Sequence, residues 1–322
     1  MEAENPSLWK RLKGPASLLL SLAVVGLAFY GLHGALRHVD PDRVLQALQG
    51  LRLHAIGLAL LFTGGSFLAI GCQEYFALKT AHRPLPFPVA LLGGFLAQSI
   101  GHSSGFSVAV GGGLRYRLYS MFGARFAEVA KAQASFTGTL ALALCLQIGT
   151  AMLLHPGLLD HEVALDHGLT RGIGIALVLV CFGILAATLR QKPIDLFGRR
   201  IELPPFRYLL PQVLCSVIDI ACLAAAAHAL LPASLHADYG TVLGIAVVSL
   251  TLGIASSVPG GLGVFESSVL LLLAPSAPSA TLATLLAFRA LYYLLPLVLG
   301  LVTLGVVELW RRRRMRAQSR PA

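Results

Sequence analysis

The sequence predicts an all-α, polytopic membrane protein, with about six full crossings and two broken or re-entrant helical hairpins forming eight helical units in one transmembrane domain over residues 1–322. Three observations predict it. Hydrophobic residues make up 56% of the chain and charged residues only 12%, about half the charged share of a soluble domain, and mean hydropathy is +0.75. The apolar residues gather into runs long enough to cross ~30 Å of hydrocarbon at 1.5 Å per residue. Two further apolar regions are interrupted by glycine, proline and serine, a pattern tolerated at membrane depth only where protein or water satisfies the freed backbone. Length alone would allow two soluble domains, and the hydropathy excludes them.

The first crossing covers residues 15–35, behind Lys10, Arg11 and Lys13. No cleavage site follows the apolar stretch from Ala16 to Leu36, so it reads as a retained span rather than a signal peptide. Between Pro41 and Leu51, residues Val44, Leu45, Leu48 and Leu51 recur at helical spacing and predict a short helix on the membrane surface. Full crossings follow at 53–78, 129–154, 172–189, 208–231 and 280–309. The broken regions are 86–120 and 239–274.

Charge orders these elements. The formal net charge of +10 sits mostly in short loops and tails beside apolar runs, where basic residues set topology and meet anionic headgroups, so nucleic acid is excluded as a partner. Lys79 and Arg83, then Arg115, Arg117 and Arg125, then Arg190, Lys192, Arg199, Arg200 and Arg207 mark cytoplasmic segments, as do Arg311, Arg312, Arg313, Arg314, Arg316 and Arg320 in a basic tail over 310–322. The stretch 155–171, with Asp160, Glu162 and Asp166 against Arg171, reads as external, as do the uncharged-to-acidic 232–238 and 275–280. Region 86–120 therefore enters and leaves from the cytoplasm, and 239–274 from outside. Both termini are expected in the cytoplasm, and the halves 15–154 and 172–309 form an inverted repeat, a plan recurrent in transporters. Arg37, Arg43 and Arg52, in an external 36–52 loop, run against the rule.

Polar groups in apolar segments mark the candidate site, because each costs roughly 2.5–3.5 kcal/mol when charged at the membrane centre. In Ser256-Ser257-Val258-Pro259-Gly260-Gly261-Leu262-Gly263-Val264-Phe265-Glu266, proline breaks the helix, glycines permit a tight turn, and Glu266 opens the next helix. In the first hairpin, Gly101-His102-Ser103-Ser104-Gly105 predicts one break and Gly111-Gly112-Gly113 another, whose exposed N–H groups beside Arg115 would suit a phosphate oxyanion. Arg289 lies ten residues into the last span, with Tyr292 and Tyr293 on its face and Pro296 beyond; Glu266 is its nearest expected partner. The substrate-binding set is thus Arg115, Gly112, Gly113, Tyr116, Arg117, Gly260, Gly261, Gly263, Glu266, Arg289, Tyr292 and Tyr293, with Asp219 and Glu266 as gating or coupling groups. Glu74 and Glu128, near span ends, read as interfacial. His102 and His228 read as packed.

Cys72, Cys145, Cys181, Cys215 and Cys222 form no CxxC pair and read as small packing residues; Asp219 between Cys215 and Cys222 lacks the histidine that a metal site there would want. Neither a metal nor any other cofactor is expected. Gly101-His102-Ser103-Ser104-Gly105 matches a hydrolase elbow in letters, but follows an apolar helix where that motif needs a strand.

Three stretches, Gly112-Gly113-Leu114-Arg115-Tyr116-Arg117-Leu118-Tyr119, Val258-Pro259-Gly260-Gly261-Leu262-Gly263-Val264-Phe265-Glu266 and Phe288-Arg289-Ala290-Leu291-Tyr292-Tyr293-Leu294-Leu295-Pro296, resemble signatures of the lysylphosphatidylglycerol synthase transmembrane-region family. That family includes the flippase half of the bacterial multiple peptide resistance factor. The resemblance implies a bacterial inner-membrane protein that moves an anionic or aminoacylated phospholipid between leaflets. It implies no enzyme activity, because the two-part members continue into further spans and a soluble aminoacyltransferase domain where this sequence ends at Ala322. Its implied partners are membrane lipids, with a separate lipid-modifying enzyme or a second copy of the chain as further candidates. The alternatives are a secondary transporter of a small solute and a membrane scaffold for a lipid-modifying enzyme.

Overall fold

The structure, a computed structural model, describes residues 50–104, 107–159, 166–190, 194–196, 199–201, 204–232, 235, 237–256, 258–273 and 278–318. The crossing expected at 15–35 and nearly all of the surface helix expected at 41–51 lie outside the described residues. Within them the helices are α1 (Leu53–Thr80), α2 (Phe87–Ser103), α3 (Ser107–Tyr119), α4 (Phe126–Leu154), α5 (His167–Leu189), α6 (Phe206–Leu230), α7 (Tyr239–Ala255), α8 (Val264–Leu273), α9 (Pro278–Arg289) and α10 (Leu295–Gln318), the last two joined through a π turn, Ala290–Leu294. Among the described residues, five stretches are long and apolar enough to cross a membrane: α1, α4, α5, α6 and Thr281–Trp310. The chain is an all-α polytopic membrane protein. One short antiparallel ribbon, Ile194–Leu196 with Arg199–Ile201, links α5 to α6 where the sequence predicts a plain basic loop. The last helix continues to Gln318, so the predicted tail begins as helix rather than at residue 310.

Both broken regions are helical hairpins, α2–α3 and α7–α8, and they enter the bundle from opposite ends. The pairing of α1 with α6 shows it. Thr80 Oγ1 accepts from Gln212 Nε2 at 3.1 Å near one end of the pair, Ser66 meets Asp219 midway, and Ala55 and Leu230 share one core cluster at the other end. The two long helices therefore run antiparallel. Hairpin α2–α3 follows the end of α1, hairpin α7–α8 follows the end of α6, and these ends lie on opposite sides. The tips meet inside, where α2 lies against the turn Pro259–Gly261.

The helix ends are built locally. Asp238 caps α7, accepting from Thr241 N at 3.1 Å and from the Thr241 hydroxyl at 2.6 Å. These bonds, the hydroxyl first, hold its carboxyl below the usual range. Asp166 caps α5 through Gly168 N at 2.9 Å. Glu128 is set at the first turn of α4 by the Arg125 N–H at 2.8 Å, which agrees with its predicted place near a span end.

Packing between α4 and α5 depends on small residues, as expected where lipid supplies no hydrophobic drive between helices. A Cβ at Gly174 would stand 2.8 Å from the Gly149 carbonyl oxygen, and one at Gly149 would stand 3.0 Å from the Gly174 oxygen. Gly174→Leu is expected to part the two helices at a cost of about 1–3 kcal/mol, read as a lower midpoint of thermal denaturation in detergent. Gly172→Leu, where a Cβ meets nothing within 4 Å, is the control and should leave the midpoint in place.

Candidate functional site

Three polar knots lie in the apolar bundle, and each joins elements distant in sequence. The first holds Arg115 of α3 and Glu74 of α1. Arg115 Nε donates to Glu74 Oε1 and Oε2 at 3.0 and 2.8 Å, Nη2 lies 2.8 Å from Oε2, and Nη1 donates to Gln133 Oε1 at 2.7 Å. Tyr119 donates to Glu74 Oε1 at 2.9 Å, and the guanidinium lies over the Phe136 ring at 4.7 Å. Side-chain exposure of the pair is 3% and 1%. Glu74 is thus no interfacial residue. It stands six residues before the end of α1, roughly 9 Å of helix from that end, and is enclosed by α3 and α2. A methyl group at Gly93 of α2 would run into the Tyr119 ring, so only glycine lets α2 close over this pair.

The glycine triplet differs from its predicted role. Gly111, Gly112 and Gly113 lie inside α3, past the first four positions whose N–H groups a helix leaves free. They form no break and present no row of open amides. Arg115 is committed to Glu74 and Gln133 rather than held ready for an anion. Arg117 points elsewhere, toward Glu308 of α10 at 2.5 Å. Tyr116 packs edge-on against Phe126 at 5.5 Å, away from the chamber described below.

The second knot is the tip of α7–α8. Gly260, Gly261 and Gly263 have φ of +60°, +59° and +77°, the left-handed region that other residues enter only with strain. Two left-handed residues in succession reverse the chain, and their carbonyls point at one guanidinium. Arg289 Nη1 donates to Gly260 O at 3.0 Å and Nη2 to Gly261 O at 3.1 Å. Nη2 also donates to Glu266 Oε2 at 2.7 Å, and Nε pairs with Oε1. Glu266 meanwhile accepts from Gly263 N at 2.9 Å, which starts α8 as the third residue of a capping box does. The expected Glu266–Arg289 pair is present, and it ties a loop, a helix start and the last span together.

The third knot is Asp219 of α6 with Ser66 of α1 and Tyr292 of the π turn. Ser66 Oγ donates to Asp219 Oδ1 and lies 2.6 Å from Tyr292 OH; Tyr292 OH is 3.5 Å from Oδ1. Pro296 has no N–H to give to Tyr292 O, and the helix responds with a wider turn in which Leu295 N bonds to Ala290 O. The turn directs both tyrosines inward. Tyr292 reaches Asp219, while the Tyr293 ring stacks on His102 with centroids 5.3 Å apart and lies beneath Arg289 at 5.5 Å. Tyr293 therefore links α2 of one hairpin, through Arg289, to the tip of the other.

Between the knots is a chamber of about 120 Å3 whose wall is largely apolar and whose polar lining is Gln98 and His102 of α2, Ser107 and Arg115 of α3, Gln133 and Thr137 of α4, Asp219 of α6, and Tyr292 and Tyr293. Of the predicted set, Arg115, Tyr292, Tyr293 and Asp219 share this chamber. Gly260, Gly261, Gly263, Glu266 and Arg289 form the adjoining tip. Gly112, Gly113, Tyr116 and Arg117 do not line the chamber. Glu74, Ser66, Gln133 and Gln98 were absent from the set. A second, mostly apolar groove of about 1110 Å3 opens at the other end of the α1–α6 pair, between Phe62, Ile218, Cys222, His228 and Tyr239. Ser103 and Ser104, the serines of the elbow-like motif, donate to their own helix at Ser99 O and Gly101 O, 3.0 and 2.6 Å away.

Two curated proteins are similar over nearly their whole length. An uncharacterized protein of Synechocystis sp. is 27% identical over 313 residues, 97% of each chain. The inner membrane protein YbhN of Escherichia coli is 27% identical over 324 residues, 98% of each chain. No family model matches this sequence.

Proposed function

We propose that this chain is an inner-membrane lipid translocator that carries the headgroup of an anionic or aminoacylated phospholipid through the central chamber while the acyl chains stay in the bilayer. The observation that carries this reading is the chamber itself: polar side chains from five elements converge deep in an apolar bundle where two hairpins from opposite ends meet. Such convergence is costly unless something hydrophilic passes. The opposed hairpins, each preceded by a long helix of the antiparallel α1–α6 pair, support an inverted repeat over 15–154 and 172–309, with both termini cytoplasmic by the distribution of basic residues. The inner-membrane relative supports the compartment, and the three signature-like stretches support the lipid.

The chamber's charge refines the headgroup's placement. Arg115 and Arg289 are each paired with a carboxylate, so a phosphate gains most from Gln98, Gln133 and the tyrosine hydroxyls. About 120 Å3 equals the share of only about four liquid waters. This is a closed state, and a headgroup requires the hairpin tips to separate.

The test is reconstitution in vesicles carrying fluorescent phosphatidylglycerol in both leaflets, with a reductant outside that bleaches only what it reaches. The expected result is bleaching of nearly all the probe, against about half in empty vesicles. Bleaching that stops at the outer leaflet with both phosphatidylglycerol and its aminoacylated form sinks the reading, and gradient-driven uptake of a soluble solute would put the small-solute transporter in its place.

A further inference from the structure

We propose that Asp219, hydrogen-bonded to Ser66 and within reach of Tyr292, is a proton-carrying group that couples movement through the chamber to the transmembrane proton gradient, an inference that rests on the transport function proposed above. Its position carries the argument. Ser66 is the fourteenth residue of the 28 in α1, roughly 21 Å of helix from either end, so the carboxylate it holds is as deep as this bundle allows. Asp219 lines the central chamber, while Ile218 beside it, Cys222 one turn on and Phe62 one turn before Ser66 line the large groove at the far end of the bundle. Asp219 is the ionisable group standing at the partition between the two spaces.

Among the described residues, no cation contacts Asp219. The charges in and beside the chamber are already matched: Arg115 by Glu74 and, at the adjoining tip, Arg289 by Glu266. The neighbouring titratable groups are Cys215 and Cys222 on its own helix, Tyr292 and Tyr293 of the π turn, and His102 of α2 stacked on Tyr293. Elements α4 and α7 bring only uncharged groups to this chamber: Gln133, Phe136, Thr137 and Leu140 from α4, and Leu250 and Ile254 from α7. A carboxylate without a cation at this depth is unstable in its charged form, and a proton or a metal ion must accompany it for much of the cycle. Ser66 Oγ and Tyr292 OH are 2.6 Å apart, at hydrogen-bond spacing, and Ser66 donates to Asp219 Oδ1, a hydroxyl chain suited to a carboxyl that gains and loses a proton.

The step balances simply. A proton from water on one side binds the Asp219 carboxylate to give the neutral acid, and the same proton leaves to water on the other side, restoring the anion. Ser66 and Tyr292 stabilise the anion through donated hydrogen bonds, and Tyr292 sits in the π turn whose neighbour Tyr293 stacks on His102 of one hairpin and lies beneath Arg289, which holds the tip of the other. Charging or discharging Asp219 is thereby felt where the tips meet.

Two measurements on the full chain test this. In vesicles carrying fluorescent phosphatidylglycerol, a gradient of one pH unit is expected to bias the steady-state leaflet ratio of the wild type by up to about tenfold, the equilibrium worth of one proton over one unit. Asp219→Asn, close to the aspartate in shape, should abolish that bias, and Asp219→Glu should retain part of it. The second measurement reads the proton directly. Infrared difference spectra of the same vesicles on acidification should gain the carbonyl stretch of a protonated carboxyl, lost in Asp219→Asn and altered in Ser66→Ala. Lipid movement that ignores the gradient, or a gradient response unchanged in Asp219→Asn, overturns the coupling and leaves the translocator standing. Failure of any lipid to move, with the band present, sinks the translocator instead and upholds Asp219 as the proton carrier. Absence of the band overturns the proton-carrying role whatever the lipid does.

Discussion

Glu74→Ala is expected to be among the most damaging single changes in this chain, lowering stability by about 3–5 kcal/mol, because it strands Arg115 without its counter-charge inside the bundle. Arg115 donates through Nε, Nη1 and, in ion contact, Nη2, and its side chain is 3% exposed. Removing the carboxylate leaves Gln133 Oε1 as its remaining acceptor and also orphans the Tyr119 hydroxyl. Glu74→Gln should cost less, since an amide oxygen still accepts from Arg115. The double change Glu74→Leu with Arg115→Met should recover most of the loss, because an ion pair buried this way is worth little against apolar side chains of similar volume. Thermal denaturation in detergent and the yield of monodisperse protein measure all four variants. Equal damage in the single and double variants would show that the residues act separately. The double variant has a second use: folded protein that no longer moves lipid would place Arg115 on the substrate's path, whereas normal movement would leave the pair a purely structural fastening.

The membrane class and the hairpins were legible because both are properties of runs. Hydropathy summed over 20 residues overrides any single side chain, and the parity of the basic loops required 86–120 and 239–274 to return to the side they came from. The tip Pro259–Gly263 was legible for a different reason: proline and three glycines within five residues leave the backbone almost no helical option, and Glu266 and Arg289 then had few other charges to meet. Glu74 was not legible. From the sequence it lies a few residues from Lys79 and Arg83, where a carboxylate is ordinarily at the interface. Only tertiary packing buries it: α2 and α4 pack on α1, and Arg115 and Tyr119 of α3 reach its carboxylate. The unusual pair Gln73-Glu74, two polar residues inside an apolar run, was the available signal. The glycine triplet misled in the opposite sense. Glycine permits a break but does not compel one, and with no proline beside it Gly111–Gly113 stays helical, its hydrogen bonds closed within α3. Ser66 was invisible as a candidate, since serine is common in membrane helices and only the register of α1 against α6 brings it to Asp219.

Arg289→Ala should have an effect of the same order on the tip of α7–α8, and this effect should be felt across the bundle. The guanidinium holds Gly260 O, Gly261 O and both oxygens of Glu266 at once. Without it two carbonyls and a carboxylate remain in an apolar surround, each costing about 1–3 kcal/mol or more if left dry. The turn can escape that cost only by opening to water, which pulls α8 away from the Gly263 cap, and the cation over the Tyr293 ring is gone as well. Arg289→Lys tests the geometry separately from the charge. An ammonium can pair with Glu266 but cannot also fork onto two carbonyls, so Lys should recover only part of the loss. Hydrogen exchange followed by mass spectrometry is the discriminating measurement. Peptides covering 258–268 should exchange faster in both variants, and peptides covering 98–104 should follow, because His102 stacks on the tyrosine that Arg289 covers. Faster exchange confined to 258–268 would mean that the two tips are neighbours without being coupled, and the chamber would then lack the shared hinge that passage between them requires.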